Sequence, residues 1–302
     1  MVKTLPRATP ESVGIPSGAL IKLYEALEKQ EVHSCMVLRH GKVVSEGWWG
    51  PFNSSDPHIL FSLSKSFCST AVGLAVGEGR LTLDDRLLDF FPDLNPKEPS
   101  ENLKQMRVRD LLTMSCGHET EAWPRGADWG EGDGLRKSFL AHPVPHQPGK
   151  KFFYNSLATY MCSAIVQKLT GMKVTQYLKP RLFEPLGIES HRWETSPEDI
   201  EFGGWGLHIA TESIAKFGQL LLQDGWWEGK RLIPATWIAQ ASSKQVSNGD
   251  GGTNDWGHGY GFQFWRCQTD CFRGDGAFGQ LCVVIPRLDM VVAVTACVDD
   301  IG

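Results

Sequence analysis

The sequence predicts an α+β fold, an antiparallel sheet flanked by helices with a mostly helical lobe inserted into it. Three observations carry this expectation. One amphipathic helical pattern and two short β-type runs open the chain, helical and loop-rich sequence fills the middle, and three or more β-type runs follow residue 259. Strands must pair and helices must bury an apolar stripe, so the simplest closure puts the first and last strands in one sheet. The expected organisation is a single domain over residues 1–302. Its α/β lobe takes about 1–60 and 255–302, its helical lobe about 61–254, and a cleft lies between them.

Length and composition agree with one large domain. The 302 residues are 41% hydrophobic, enough for a sizeable core, and the net charge of -5 comes with no run of like charges. That pattern speaks against nucleic-acid and membrane-surface partners. The first ten residues hold no apolar signal segment, and no apolar run is long enough to span a bilayer. Eight cysteines, at positions 35, 68, 116, 162, 267, 271, 282 and 297, sit mostly inside apolar runs. They read as free, buried thiols of a reducing, cytoplasmic compartment. Cys267 and Cys271 form a loose pair across an expected hairpin. The nine histidines form no H-E-x-x-H or similar cluster, so a zinc hydrolase is not supported.

Taken in order, Ser17 is the expected N-cap of a helix through Lys29, with Leu20, Leu23, Tyr24 and Leu27 on one face. Residues 34–39 and 42–49 read as strands joined at His40-Gly41. An apolar run (Ile59, Leu60, Phe61) leads to Ser62 and a buried helix of small side chains that ends at Gly77 and Gly79. Residues 108–114 form a short helix, and 115–148 a long loop covering a cleft. Helices are expected at 156–169, 173–182, 211–222 and 234–241. Strands are expected at 259–267, 271–272, 280–285 and 290–296, with a hairpin turn at 286–289.

Ser62 and Lys65 stand three apart and share one face of a first helical turn. A serine hydroxyl is a poor nucleophile until a base removes its proton. An ammonium at a helix start, in a partly dry site, is biased toward its neutral form and can serve as that base. This is the S-x-x-K arrangement of serine acyl hydrolases. The same tetrapeptide recurs at 213–216, where Lys216 falls among surface-type residues of an amphipathic helix. Tyr154, between the turn 147–150 and the next helix, is placed to reach the Ser62 hydroxyl and relay protons.

With these residues in place, the chain resembles the serine β-lactamase-like family: class C β-lactamases, DD-peptidases, family VIII carboxylesterases and 6-aminohexanoate-oligomer hydrolases. F-S-L-S-K-S-F resembles its first motif, P-G-K-K-F-F-Y-N-S its second, and G-D-G-A-F-G-Q stands in place of its third. V-R-D-L-L-T-M-S-C-G-H resembles the helix and turn between the first two. The match runs in order over nearly the whole chain. It implies a β-lactamase/transpeptidase-like fold and an acyl-enzyme formed on Ser62, with Lys65 and Tyr154 sharing proton transfer. It also implies an oxyanion hole from the backbone N–H groups of Ser62 and of Phe278 on the third-motif strand, and no cofactor.

Three departures from the family pattern shape the substrate expectation. Ser156 stands where the second motif usually has Asn. Asp275-Gly276-Ala277 stands where the third usually begins with Lys or His, and a carboxylate there repels an anionic substrate unless Arg273 offsets it. The family's closing helix has no counterpart after residue 296, which leaves a sheet face for a neighbouring copy to cover in a homo-oligomer. The substrate expected first is therefore a small ester, with Trp123, Trp129 and Trp205 lining an apolar pocket. Second comes an amide, of the 6-aminohexanoate-oligomer or weak β-lactam type, whose ammonium Asp275 would favour. A non-catalytic binding module on the same fold is the third reading.

Overall fold

A computed structural model describes residues 4–121, 123 and 134–299. Its centre is a six-stranded sheet of order β2-β1-β11-β10-β9-β8. The strands are β1 (Val32–Arg39), β2 (Lys42–Trp48), β8 (Trp265–Arg266), β9 (Phe272–Gly276), β10 (Gln280–Ile285) and β11 (Met290–Ala296). Every neighbouring pair is antiparallel, and the first strand joins the last in the register Val32↔Ala296 to Arg39↔Met290. Three further strands, β3 (His58–Ile59), β4 (His191–Trp193) and β5 (Leu207–Ile209), form a small sheet. Two more, β6 (Trp226–Trp227) and β7 (Lys230–Arg231), form a ribbon.

Side chains alternate across the sheet, so each face has its own cover. On one face Cys35, Val37 and Val294 meet α1 (Ser17–Leu27) through Leu20, Leu23, Tyr24 and Leu27. Met36, Leu38, Cys282, Val284, Val291 and Ala293 belong to the main core on the other. Two central helices pack there, α2 (Ser64–Gly77) and, beyond α3 (Leu87–Phe90) and the helices that follow it, α10 (Thr211–Leu222). Gly218 on α10 allows the close approach, because a Cβ there would stand 2.5 Å from Val291 Cγ1 and 2.9 Å from Cys282 Sγ.

The intervening helices are α4 (Glu101–Gln105), α5 (Val108–Leu112), α6 (Gly134–Ala141), α7 (Ser156–Thr170), α8 (Val174–Leu178) and α9 (Glu184–Leu186); α11 (Ala235–Ala241) follows α10. α7 packs against α2 and α5. It ends where Gly171 takes φ 69, the left-handed cap that the T-G ending predicts.

Several expectations are corrected. The N-cap of α1 is Pro16, with Ser17 the first helical residue. The expected helix over 173–182 breaks into α8, a π turn at Lys179–Phe183 and α9, because Pro180 and Pro185 cannot donate to the helical ladder. The expected strand over 259–267 contracts to Trp265–Arg266, with Tyr260 making only isolated bridges. α10, placed with the helical middle, packs on β11, β10 and β1. Lys216 on α10 is not at the surface: it is 3% exposed.

Candidate active site

Ser62 sits in a one-turn 3-10 segment, Phe61–Leu63, between β3 and α2. Fully buried Leu60 and Leu63 pin its two ends. Phe61 is held at φ 44, a left-handed conformation that costs a non-glycine residue about 1–3 kcal/mol and marks a backbone constrained by its surroundings. The turn leaves Ser62 half-buried at the surface and sets the next helical turn, with Lys65, behind it.

Lys65 is 1% exposed, and among the described residues its Nζ makes no ion pair. Nζ lies 2.9 Å from Ser62 Oγ, 3.2 Å from Ser156 Oγ and 2.7 Å from the Gly204 carbonyl oxygen. Burial pushes its pKa down to about 7, against the weaker opposing pull of the Glu121 carboxylate. A neutral amine has two N–H donors and one lone pair. Gly204 O and Ser156 Oγ take the donors, and the lone pair then faces the Ser62 hydroxyl.

The carbonyl that holds Lys65 comes from a glycine-rich turn wedged between α2 and α7. Ser163 Oγ donates to Glu201 O at 2.6 Å, fixing the turn to α7. A Cβ on Gly203 would stand 3.0 Å from Cys68 Sγ and from Thr159 O, and one on Gly204 2.7 Å from Ser156 O. Only glycine lets this backbone enter.

Tyr154 ends the extended run before α7, whose N-cap is Asn155, with Oδ1 accepting the Leu157 N–H at 3.0 Å. The Tyr154 ring stacks on Trp265 at 5.6 Å, and Lys65 Nζ lies 4.8 Å from the ring centroid. Burial raises the phenol well above its ordinary range, the Asp275 and Glu121 charges add to this, and the hydrogen bond with Ser62 opposes it. Tyr154 is therefore a neutral phenol at physiological pH. Ser156 opens α7, and its N–H donates to Glu121 Oε1 at 3.3 Å.

β9 closes the third side. A Cβ on Gly276 would stand 2.1 Å from Leu60 O, and one on Gly274 2.3 Å from Leu63 Cδ1, so the strand lies directly on the Ser62 turn. β8 pairs with β9 only at Phe272 and Arg273, which leaves the edge beyond without a strand partner among the described residues. Phe278, expected on the third-motif strand, lies two residues past it in the turn to β10, at φ 65. Its ring meets Phe61 edge-on at 5.0 Å, joining the two segments that flank Ser62.

Asp275 is offset by Arg273, the cation named beside it in the sequence. It is not a free carboxylate in the cleft, because Arg273 Nε donates to its Oδ2 at 2.6 Å and both side chains are buried. Burial raises the Asp275 pKa, and Arg273 pulls against that rise. The Arg273 guanidinium also donates to Asp255 O at 3.0 Å and lies over the Trp256 ring at 4.6 Å. Trp205, expected to line an apolar pocket, follows Gly204 in the turn, stacked on Phe202 at 4.3 Å and 5.5 Å from Trp123. Trp129 lies outside the described residues.

Sequence reasoning missed Gly204, Glu121, Trp265 and the contact between Phe61 and Phe278. A backbone carbonyl leaves no side-chain signal. Glu121 falls in a loop without periodicity, where its carboxylate accepts from Ser156 N–H and Trp123 Nε1. Among the described residues no group of three His, Cys, Asp or Glu is placed to hold a metal ion, and no helix is long and apolar enough to cross a membrane.

A family model described as Beta-lactamase matches residues 24–298. A 6-aminohexanoate-dimer hydrolase from Paenarthrobacter ureafaciens is 24% identical, covering 94% of this chain and 78% of that protein. Among solved structures, a family VIII carboxylesterase superposes with a TM-score of 0.72 at 16% identity, covering 95% of this chain and 91% of that one. The octameric penicillin-binding protein homologue from Pyrococcus abyssi superposes with a TM-score of 0.73 at 19% identity, covering 94% and 74%. At these identities the structural likeness is one of fold.

Proposed function

Because this chain belongs to the β-lactamase family, a family of serine hydrolases, we propose that it hydrolyses small carboxylic esters through an acyl-enzyme on Ser62. The observation that carries the proposal is the buried Lys65 Nζ, 2.9 Å from Ser62 Oγ with its two other contacts occupied by acceptors. Neutral Lys65 takes the Ser62 proton as Oγ attacks the substrate carbonyl. The backbone N–H groups of Ser62 and Phe278 receive the developing oxyanion. The neutral Tyr154 phenol relays the proton to the departing alkoxide, and water then attacks the acyl-enzyme with the roles reversed.

Ester rather than β-lactam chemistry is favoured by the third side of the site. The buried Asp275–Arg273 pair offers no unpaired cation to a substrate carboxylate. Alkoxides leave more readily than amines, so fewer polar contacts are required. A second reading, hydrolysis of a linear amide, is supported by the 6-aminohexanoate-dimer hydrolase matched over 94% of the chain. Turnover of short p-nitrophenyl esters, measured beside nitrocefin and a 6-aminohexanoate dimer with Ser62→Ala as control, separates the two. The expected result is ester turnover that Ser62→Ala abolishes, with slow nitrocefin. Faster turnover of the dimer would move the chain to the second reading, and no turnover of any substrate by folded protein would sink both.

A further inference from the structure

His33 is the residue of β1 that has no partner on β11. The register steps from Val32↔Ala296 to Ser34↔Thr295, a bulge that re-aims the side chain between them. The His33 ring stacks on Phe52 at 3.8 Å, and its Nδ1 lies 2.6 Å from Nε2 of His58 on β3. Both rings are half-buried. His58 Nδ1 in turn faces Ile59 O at 3.0 Å. A carbonyl only accepts, so His58 Nδ1 carries a hydrogen, and Nε2 of the neutral ring is an acceptor. His33 Nδ1 is therefore the donor, and His33 Nε2 is the free basic nitrogen of the pair. This bond ties the large sheet to the small one on the approach to the site. Ser62 follows His58 by four residues, and Leu60 N–H donates to Leu207 O of β5 at 2.8 Å. β5 continues the glycine turn whose Gly204 O holds Lys65.

We propose that His33 and His58 form a two-stage acid latch beside the active site, kept closed by a first proton and opened by a second. The first proton goes to His33 Nε2. It leaves the hydrogen bond to His58 in place and makes it charge-assisted. The Phe52 ring face and the Glu31 carboxylate favour this cation, against burial and the neighbouring His58. The second proton must go to His58 Nε2, the atom that accepts the bond. Two N–H groups and two positive charges would then meet across 2.6 Å, so the rings part. Burial and the charge of His208 hold the His58 pKa below its ordinary value, and no carboxylate is bonded to His58 among the described residues. The charged groups nearby are engaged elsewhere. Glu194 Oε1 and Arg192 Nη2 each lie 2.9 Å from His208 Nε2, and Asp56 Oδ2 accepts two Asn53 N–H groups at 2.9 and 2.8 Å. Once the rings part, β3 keeps its bonds to β5 but loses its tie to β1, and the segment that delivers Ser62 is loosened.

Long-range proton–nitrogen NMR of the full chain, carrying ¹⁵N-histidine, is the test. At neutral pH the expected pattern is a hydrogen on Nδ1 of both rings. On acidification His33 is expected to charge first and His58 second, in steps at least about one pH unit apart, with the contacts between the rings lost only in the second. Ser62→Ala should leave this titration unchanged, so the latch is tested whether or not the ester reading holds. A second arm rests on that reading. Near about pH 5, kcat/KM of the wild type is expected to fall at least about threefold below the one-proton limb of Lys65. His58→Gln, which keeps an acceptor without a basic nitrogen, should follow that limb alone. A single shared step near the ordinary value of about 6.5, His58 charging first, or ring contacts that survive the second proton would each overturn the proposal. So would identical acid limbs in the wild type and His58→Gln.

Discussion

A lysine that is to accept a proton near neutral pH must be stripped of water and still have its N–H groups satisfied. Lys65 meets both conditions, since burial lowers its pKa to about 7 and Gly204 O and Ser156 Oγ take its hydrogens. The base is active when neutral, so kcat/KM for an ester should rise with pH along a limb with an apparent pKa near 7 and level off above it. A pH-rate profile of the wild type tests this, and a limb absent between pH 6 and 8 would remove Lys65 as the base. Lys65→Arg keeps the charge but holds its proton throughout the working range. It is expected to lower turnover by about 10²–10⁴-fold, the ordinary worth of a general base. At this scale the sequence was legible where side chains in spaced motifs meet, as Ser62, Lys65 and Tyr154 do. It was not legible at Gly204, whose contribution is a carbonyl, nor at Lys216, which is buried on a helix that reads as amphipathic.

Elements place these residues by close approach. β9 rests on the Ser62 turn through glycines, and a Cβ at Gly276 would stand 2.1 Å from Leu60 O. Backbone cannot yield as a side-chain tip can. Gly276→Ala is expected to push the strand from the turn and cut ester turnover by at least about tenfold, while the cores on the two sheet faces keep the protein folded. Circular dichroism beside kcat/KM checks it, and full activity in the folded variant would show that the contact is dispensable. The glycines of G-D-G-A-F-G are visible in the sequence, but what they approach is not. The same limit explains the strand expected over 259–267: its aromatic residues suit a pleated surface, yet Phe152, Tyr154 and Trp256 pack on Trp265 and Tyr260 as a cluster instead.

Across the whole molecule, the antiparallel sheet joining first and last strands was legible because β-type runs at both chain ends have no other partners. How the middle divides was less so, since the amphipathic stripe of α10 does not say which surface it meets. Keeping Lys65 neutral also reaches global stability. Its pKa is about 7 in the folded chain, against about 10.4 for an ordinary lysine. Between those values the unfolded chain holds a proton that the folded one lacks, so stability rises with pH at about 1.4 kcal/mol per unit from this group and is flat outside the window. Lys65→Met removes the dependence. Urea unfolding at pH 7.5 and 9.5 should show the wild type gaining about 2–3 kcal/mol relative to the variant, and an unchanged gap would mean that Lys65 is charged when folded.

The register that seats Val32 opposite Ala296 also sets an order of events during synthesis. On a ribosome β1 and the Ser62 turn emerge long before β11, the strand that fills the sheet beside β1. Until then the nascent chain carries an unpaired strand edge and no β9 to lie along the turn, so it is both sticky and chemically silent. The surroundings of Ser62 are thus completed at once, when the stretch from β9 to β11 comes home.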